Sequence, residues 1–373
     1  MKNKVLKILI GLQNKNGGIT ATPESGAYPY VYPRDAVIMT KALNRNKQYK
    51  MSEKFYHFLS KHAKLEQYKE IFHRYNVDGT PAVTRKHEMD NNGLVLHGIY
   101  DTYLHSNNES FLQNMWPLIE QIVESINNSI KSGLVKTERS IHEFYRLEHG
   151  NEIWANCACC RGLYDAAEIA KVLNHEKEYK AWNKKAKDLH KKIKSKLLVN
   201  GMYRKSTQHK KTPDMSQLSP FYFDLDNSKP RLRKTLKYLK QHLWYEELGG
   251  FRRFRKFELV VDWHWYSGGS GSWCVLTAWA AKFYKQLNDK KNYNQCKKWL
   301  KKILKKTKGL LPEHIATKQE YEQWKANEIE FNSRIVRGMK KSEALSKKYN
   351  QNTMYWALPL GWSHAEYLLI DEK

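Results

Sequence analysis

A chain of 373 residues with 41% apolar side chains can bury a substantial core, so a wholly disordered chain is not expected. No apolar run reaches the ~20 residues that span a bilayer, which excludes a membrane helix. A net charge of +27 raises a nucleic-acid partner, but no helix-turn-helix, zinc-finger or RNP signature accompanies it, so we expect a solvated basic face and no nucleic acid.

The elements read as helices in chain order. Met1 to Leu12 is broken by Lys7 and lacks a small-residue cleavage site, so an amphipathic first helix of a soluble, cytoplasmic chain is expected rather than a secretory signal. Tyr32-Pro33-Arg34-Asp35 leads into a helix over Ala36 to Leu43, and Glu88-Met89-Asp90 marks another entry point. Apolar residues recur at spacings of three and four in Phe111, Leu112, Met115, Leu118, Ile119, Ile122, Val123 and Ile126. The same one-faced pattern holds for Trp182, Ala186, Leu189 and Ile193 among lysines, for Leu232, Leu236, Leu239 and Leu243, and for Tyr293, Cys296, Leu300, Ile303 and Leu304.

Two segments, Ala155 to Leu173 and Cys274 to Leu287, are apolar on more than one side and predict inner helices wrapped by the others. No strand-helix alternation appears, so a parallel α/β sheet is not expected, and short β pieces are confined to loops such as Leu259-Val260-Val261. Five cysteines, three of them crowded as Cys157, Cys159 and Cys160, give neither a disulfide framework nor a zinc site. Reduced core thiols, no metal and no cofactor are the expectation.

Gly, Pro and aromatic residues cluster just before the more apolar helices: at residues 32–35, at Glu88-Met89-Asp90, at Glu143, at Gly268-Gly269 with Trp273, and at Trp362-Ser363-His364. In a ring of antiparallel helix pairs the loops entering the inner helices share one end, so these residues would converge on one mouth. Glu143 and Glu313 stand in such loops among aromatic and basic residues. An acid that protonates a glycosidic oxygen and a carboxylate that activates water need that placement, and twelve Trp with 23 Tyr supply flat faces for sugar rings.

Pro33-Arg34-Asp35, Ser140-Ile141-His142-Glu143-Phe144, Gly249-Gly250-Phe251-Arg252-Arg253-Phe254, Leu311-Pro312-Glu313 and Leu360-Gly361-Trp362-Ser363-His364-Ala365-Glu366 resemble, in order, the signatures of glycoside hydrolase family 15, the glucoamylases and relatives. The resemblance implies an all-α (α/α)6 toroid over residues 1–373 as a single catalytic domain, without an N-terminal β-sandwich or a starch-binding module. It implies release of glucose, with inversion, from the non-reducing ends of α-glucan oligosaccharides. Glu143 would be the general acid and Glu313 the base, with carboxyls ~6.5–9.5 Å apart to admit a water.

By the same resemblance Tyr32, Arg34, Asp35, Asp90, Arg253, Tyr266 and Trp273 would bind the sugar. His142 stands where most members have Trp, and Glu88 replaces the Gln of Gln-x-Asp, departures that bear on which α-glucoside is cleaved. Trehalose, isomaltose-type and dextran linkages are alternative substrates, and a glucan-binding toroid without catalysis is an alternative function. His364 and Glu366 read as parts of a structural closing motif rather than metal ligands.

Overall fold

The computed structural model describes residues 1–82, 88–137, 151–208, 212–253, 271–320, 322 and 353–371. In chain order its principal helices are α1 (Lys2–Ile10), α2 (Pro33–Arg45), α3 (Tyr49–His62), α4 (Asp90–Ser106), α5 (Glu109–Ser129), α6 (Ile153–Val172), α7 (Glu176–Leu197), α8 (Ser219–Tyr222), α9 (Lys229–Leu243), α10 (Cys274–Gln286), α11 (Lys290–Lys306) and α12 (Gly361–Leu369). The even-numbered helices form an inner ring: α2 packs on α4, α4 on α6, α6 on α8, α10 on α12, and α12 back on α2. Tyr222 against Trp279, with ring centroids 4.8 Å apart, joins α8 to α10.

The odd-numbered helices lie outside, α3 on α2, α5 on α4, α7 on α6, α11 on α10 and α1 on α12, while α9 packs on the 3-10 turn Met215–Leu218 that opens α8. This is an (α/α)6 barrel, as the resemblance implied. The hydrophobic patterns explain the two layers. Outer helices bury one stripe, such as Leu232, Leu236, Leu239 and Leu243 of α9, and each such side chain contributes about 1.5–3 kcal/mol on leaving water. Inner helices are buried on all sides, as in the consecutive Ala36, Val37, Ile38 and Met39 of α2.

Glycine sets the closest inner contact. A Cβ on Gly93 of α4 would fall 2.3 Å from the Ala158 carbonyl carbon of α6, and one on Gly162 would fall 2.5 Å from the Gly93 oxygen. Only hydrogen at both positions lets the two backbones touch. The five cysteines are free and buried, and burial pushes the Cys274 thiol well above its usual range.

Two hairpins, β1 (Ile130–Lys131) with β2 (Leu134–Val135) and β3 (Leu198–Val199) with β4 (Met202–Tyr203), close helix pairs. A third unit exceeds the loop hairpins expected: β5 (Phe251–Arg252), β6 (Ser272–Trp273), β7 (His314–Thr317) and β8 (Thr353–Trp356) make one antiparallel sheet in the order β5-β6-β7-β8. Its register sets Trp273 opposite both Phe251 and His314, and His314 opposite Trp356. The expected strand near Leu259-Val260-Val261 lies outside the described residues. Among those residues no helix is long and apolar enough to cross a membrane.

Candidate active site

The sheet stands beside the N-terminal ends of α2, α10 and α12, and between them opens a cleft of about 550 Å³, counting the part open to solvent. Its chemistry comes from Asp35, Asp214, Ser216, Arg253, Trp273, Glu313 and Trp362. Four sequence-derived candidates therefore meet there: Asp35, Arg253, Trp273 and Glu313. Glu143 and Tyr266 lie outside the described residues, as do the other motif residues at 140–144 and 268–269.

Glu313 is set by its backbone. α11 ends at Lys306, the chain reverses at Gly309 with φ of +97°, and Glu313 follows Pro312 immediately before β7. The Glu313 N–H donates to the Trp356 carbonyl at 2.9 Å, and its carbonyl accepts from the Cys274 N–H at 3.1 Å. The preceding residues are clamped by the chain entering α12. Leu360 N–H donates to Leu311 carbonyl at 2.9 Å, Ser363 Oγ to Pro312 carbonyl at 2.7 Å, and Leu311 N–H to His364 Nε2 at 3.1 Å. The closing motif thus holds the loop of the candidate base.

The Glu313 side chain is 18% exposed. Tyr28 Oη donates to its Oε2 at 3.1 Å, while Trp356 Nε1 donates to Tyr28 Oη at 2.7 Å. With the indole proton on one lone pair, the phenol's own proton is directed at the carboxylate. His314 Nδ1 lies 3.8 Å from the same oxygen.

In the same sheet, Arg253 follows β5 and lays its guanidinium over the Trp273 ring at 4.8 Å, and Trp273 in turn stacks on His314 with centroids 5.2 Å apart. A planar cation on an indole is held in one orientation, with its edge donors left for polar groups in the plane. Asp35 sits in the first turn of α2, where Pro33 at the first helical position fixes the backbone and the helix dipole favours a carboxylate.

Arg34 and Asp90 are placed differently. Arg34 Nε donates to Asp90 Oδ2 at 2.7 Å and Nη2 to Asp90 Oδ1 at 3.2 Å, and Nη2 also reaches Glu88 Oε2 at 3.3 Å. Trp154 Nε1 donates to Asp90 Oδ2 at 2.9 Å, and His73 Nδ1 lies 2.7 Å from Glu88 Oε2. Burial pushes the Asp90 carboxyl up while Arg34 pulls it down. Neither Arg34 nor Asp90 lines the cleft. They form a bidentate buried pair that ties α2 to α4. Tyr32, also short of the cleft, packs edge-on against His73 at 5.1 Å and against Tyr28 at 6.1 Å, and its hydroxyl accepts from Arg74 at 2.9 Å.

Sequence reasoning placed Trp362 at the mouth but missed Asp214 and Ser216 in the cleft, and Tyr28 as the partner of Glu313. A signal for Tyr28 existed: Tyr28, Tyr30 and Tyr32 alternate, so an extended backbone puts them on one side. Asp214 and Gln217 carry capping-box spacing, and both halves of the box form. Asp214 also faces Lys205 Nζ at 3.4 Å, each side chain 1% exposed. Among the described residues no group of three His, Cys, Asp or Glu could hold a metal ion.

Comparison with known proteins agrees with this fold. The family model described as glycosyl hydrolases family 15 matches residues 1–371. An uncharacterized glycosyl hydrolase of Methanocaldococcus jannaschii is 24% identical over 291 residues, 76% of this chain and 44% of its own length, so the chain spans about half of that relative. Among solved structures, a wild-type glycosidase superposes with a TM-score of 0.71 at 16% identity, covering 99% of this chain and 94% of the other. A bacterial glucoamylase complexed with acarbose gives 0.66 at 15% identity, over 98% of this chain and 54% of its own. The glucoamylase of Saccharomycopsis fibuligera gives 0.64 at 13%, over 98% and 92%.

Proposed function

On the premise that the chain belongs to the glycosyl hydrolases family 15, we propose that this glycoside hydrolase releases glucose from the non-reducing ends of α-glucan oligosaccharides with inversion. Glu313 takes the proton of the attacking water and Glu143 protonates the leaving oxygen. The observation that carries the reading is the carboxylate of Glu313 in a cleft it shares with Asp35, Arg253 and Trp273, its backbone bonded on both sides and its Oε2 oriented by Tyr28. A general base works only when its lone pair is aimed at the water it deprotonates, and the Tyr28 contact leaves Oε1 for that task.

The terminal sugar meets the polar wall of Asp35 and Arg253, whose carboxylate and forked guanidinium suit paired hydroxyls, with Trp273 backing the guanidinium. The Arg34–Asp90 pair positions α2, and through it Asp35, rather than binding sugar itself. Asp214 and Ser216 supply further polar atoms to the same wall.

Turnover of maltose, maltotriose, isomaltose and trehalose by the enzyme and by Glu313→Gln and Glu143→Gln tests the assignment. Each amide variant should lose a factor of ~10²–10⁴ in kcat with binding retained. A proton NMR time course should show β-glucose first; initial α-glucose would mean retention. Ordinary activity in both variants would overturn the roles of the two glutamates.

A further inference from the structure

The basic charge is concentrated on part of the barrel. The outer helix α7 carries nine lysines against three acidic residues, α9 six lysines and arginines with no acid, and α11 eight lysines with no acid. All nine lysines of α7 are exposed, and so are those of α11 except Lys297, which pairs with Asp371 at 2.7 Å. The adjoining outer helix α5 carries three glutamates and no basic residue. A chain that was lysine-rich everywhere would not switch sign between neighbouring helices with the same amphipathic pattern.

The three helices are consecutive in the outer ring. Lys240 of α9 donates to Gln295 of α11 at 2.8 Å, and Lys234 of α9 donates to the Asn200 carbonyl, in the turn of the hairpin that follows α7, at 2.7 Å. Together they make one basic wall. Among the described residues, none of the exposed large hydrophobic side chains, Met1, Val77 and Leu104, lies on it.

The C-terminal end of α11 brings the wall toward the mouth. Lys305, Lys306 and Lys308 end α11 and its turn, and Lys308 is separated from Glu313 by at most about 18 Å of chain. The cleft has the opposite character: Asp35, Asp214 and Glu313 stand against Arg253, and Lys205 behind the wall is already paired with Asp214. Such a pocket favours an uncharged terminal sugar, while the surface beside it attracts anions.

We propose that the substrate is a glycan whose terminal glucosyl unit is neutral and whose body carries phosphate or carboxylate charges, and that the α7–α9–α11 wall docks that body while the end enters the cleft. This inference rests on the glucosidase reading above and deepens it. Lysines act as point charges without the forked geometry that fixes one anion, so the wall binds charge density rather than a particular group. Docking raises the local concentration of chain ends and acts on kcat/KM through capture.

Glucose release from sparsely carboxymethylated amylose and from unmodified amylose of equal length tests this, with sparsely phosphorylated amylose as a parallel arm for the other charge. At about 20 mM ionic strength kcat/KM should be about tenfold higher on the charged polymers, and the difference should vanish near 0.3 M salt. The variant K237E/K298E/K301E/K302E should lose the preference and keep its rate on neutral amylose, whereas K50E/K54E/K61E on α3, across the barrel, should retain both. Equal kcat/KM on charged and neutral polymers at low salt, or a preference surviving in the wall variant, overturns the proposal.

Absence of glucose from every polymer sinks the glucosidase reading instead. Fluorescence anisotropy with labelled charged amylose then decides docking: salt-sensitive binding lost in the wall variant supports it, and no binding overturns it. Binding to a DNA duplex or to phosphatidylglycerol vesicles but not to charged amylose also overturns it, assigning the wall to that partner.

Discussion

At the scale of single residues, the candidate base depends on neighbours that a motif search reads as filler. Tyr28 commits its proton to Glu313 because Trp356 occupies its oxygen. Tyr28→Phe keeps the ring contacts with Tyr32 and Trp356 and removes one hydrogen bond to a charged group. A loss of about 1.5–3 kcal/mol in orientation predicts a fall in kcat of about 10–100-fold with KM nearly unchanged. Steady-state kinetics on the preferred α-glucoside reads this directly, and a change confined to KM would make Tyr28 a sugar ligand.

His364 supplies a pH dependence whose sign follows from its burial. Its Nε2 accepts from Leu311 and its Nδ1 lies 2.6 Å from the Leu360 carbonyl, so the ring is neutral, and burial lowers its pKa to about 4. An unfolded histidine titrates near 6.5, so as pH falls below that value the unfolded chain binds a proton that the folded one refuses. Stability present above pH 6.5 is lost down to about pH 4, by about 3 kcal/mol in total. His364→Gln keeps an acceptor for Leu311 without titrating. Denaturant unfolding across that range should fall more steeply for the wild type than for the variant, and parallel curves would refute the assignment.

At the scale of elements, legibility followed pattern length. The outer helices α5, α7, α9 and α11 were readable because one stripe against water is a strong periodic signal, and α6 and α10 because they lack a polar face. α8 was not readable, since Ser219–Tyr222 is one turn long and too short to show a period. The sheet was not readable either: β5 and β6 have two residues each, and pairing among four remote segments is set by the barrel that brings them together. Arg34 and Asp90 were found as residues but not as partners, because their contact joins two helices 56 positions apart in sequence.

The contact between α4 and α6 makes an element-scale prediction. Gly93→Ala adds one methyl group within 2.3 Å of backbone that no rotamer change relieves. Separating the helices should cost about 1–3 kcal/mol or more, seen as a lower midpoint in thermal unfolding. An unchanged midpoint would mean the two inner helices are not in backbone contact.

At the scale of the whole molecule, the charge distribution sets a conflict between folding and recognition. Exposed lysines three and four positions apart, such as Lys298, Lys301, Lys302 and Lys305 on α11, lie about 6 Å from each other, inside the screening length of about 10 Å at 0.1 M salt. Each like-charge pair costs about 0.2–0.5 kcal/mol, and the helices hold because their apolar stripes outweigh that repulsion. Several such pairs on three helices sum to about 1–2 kcal/mol that salt should return, which for a chain of this size is about 2 °C in midpoint. Calorimetry from about 20 mM to 0.3 M sodium chloride should therefore show a rising midpoint in the wild type and a flatter one in K237E/K298E/K301E/K302E. A midpoint that falls with salt would mean that acidic partners already neutralise the wall, which would also remove its attraction for an anionic glycan.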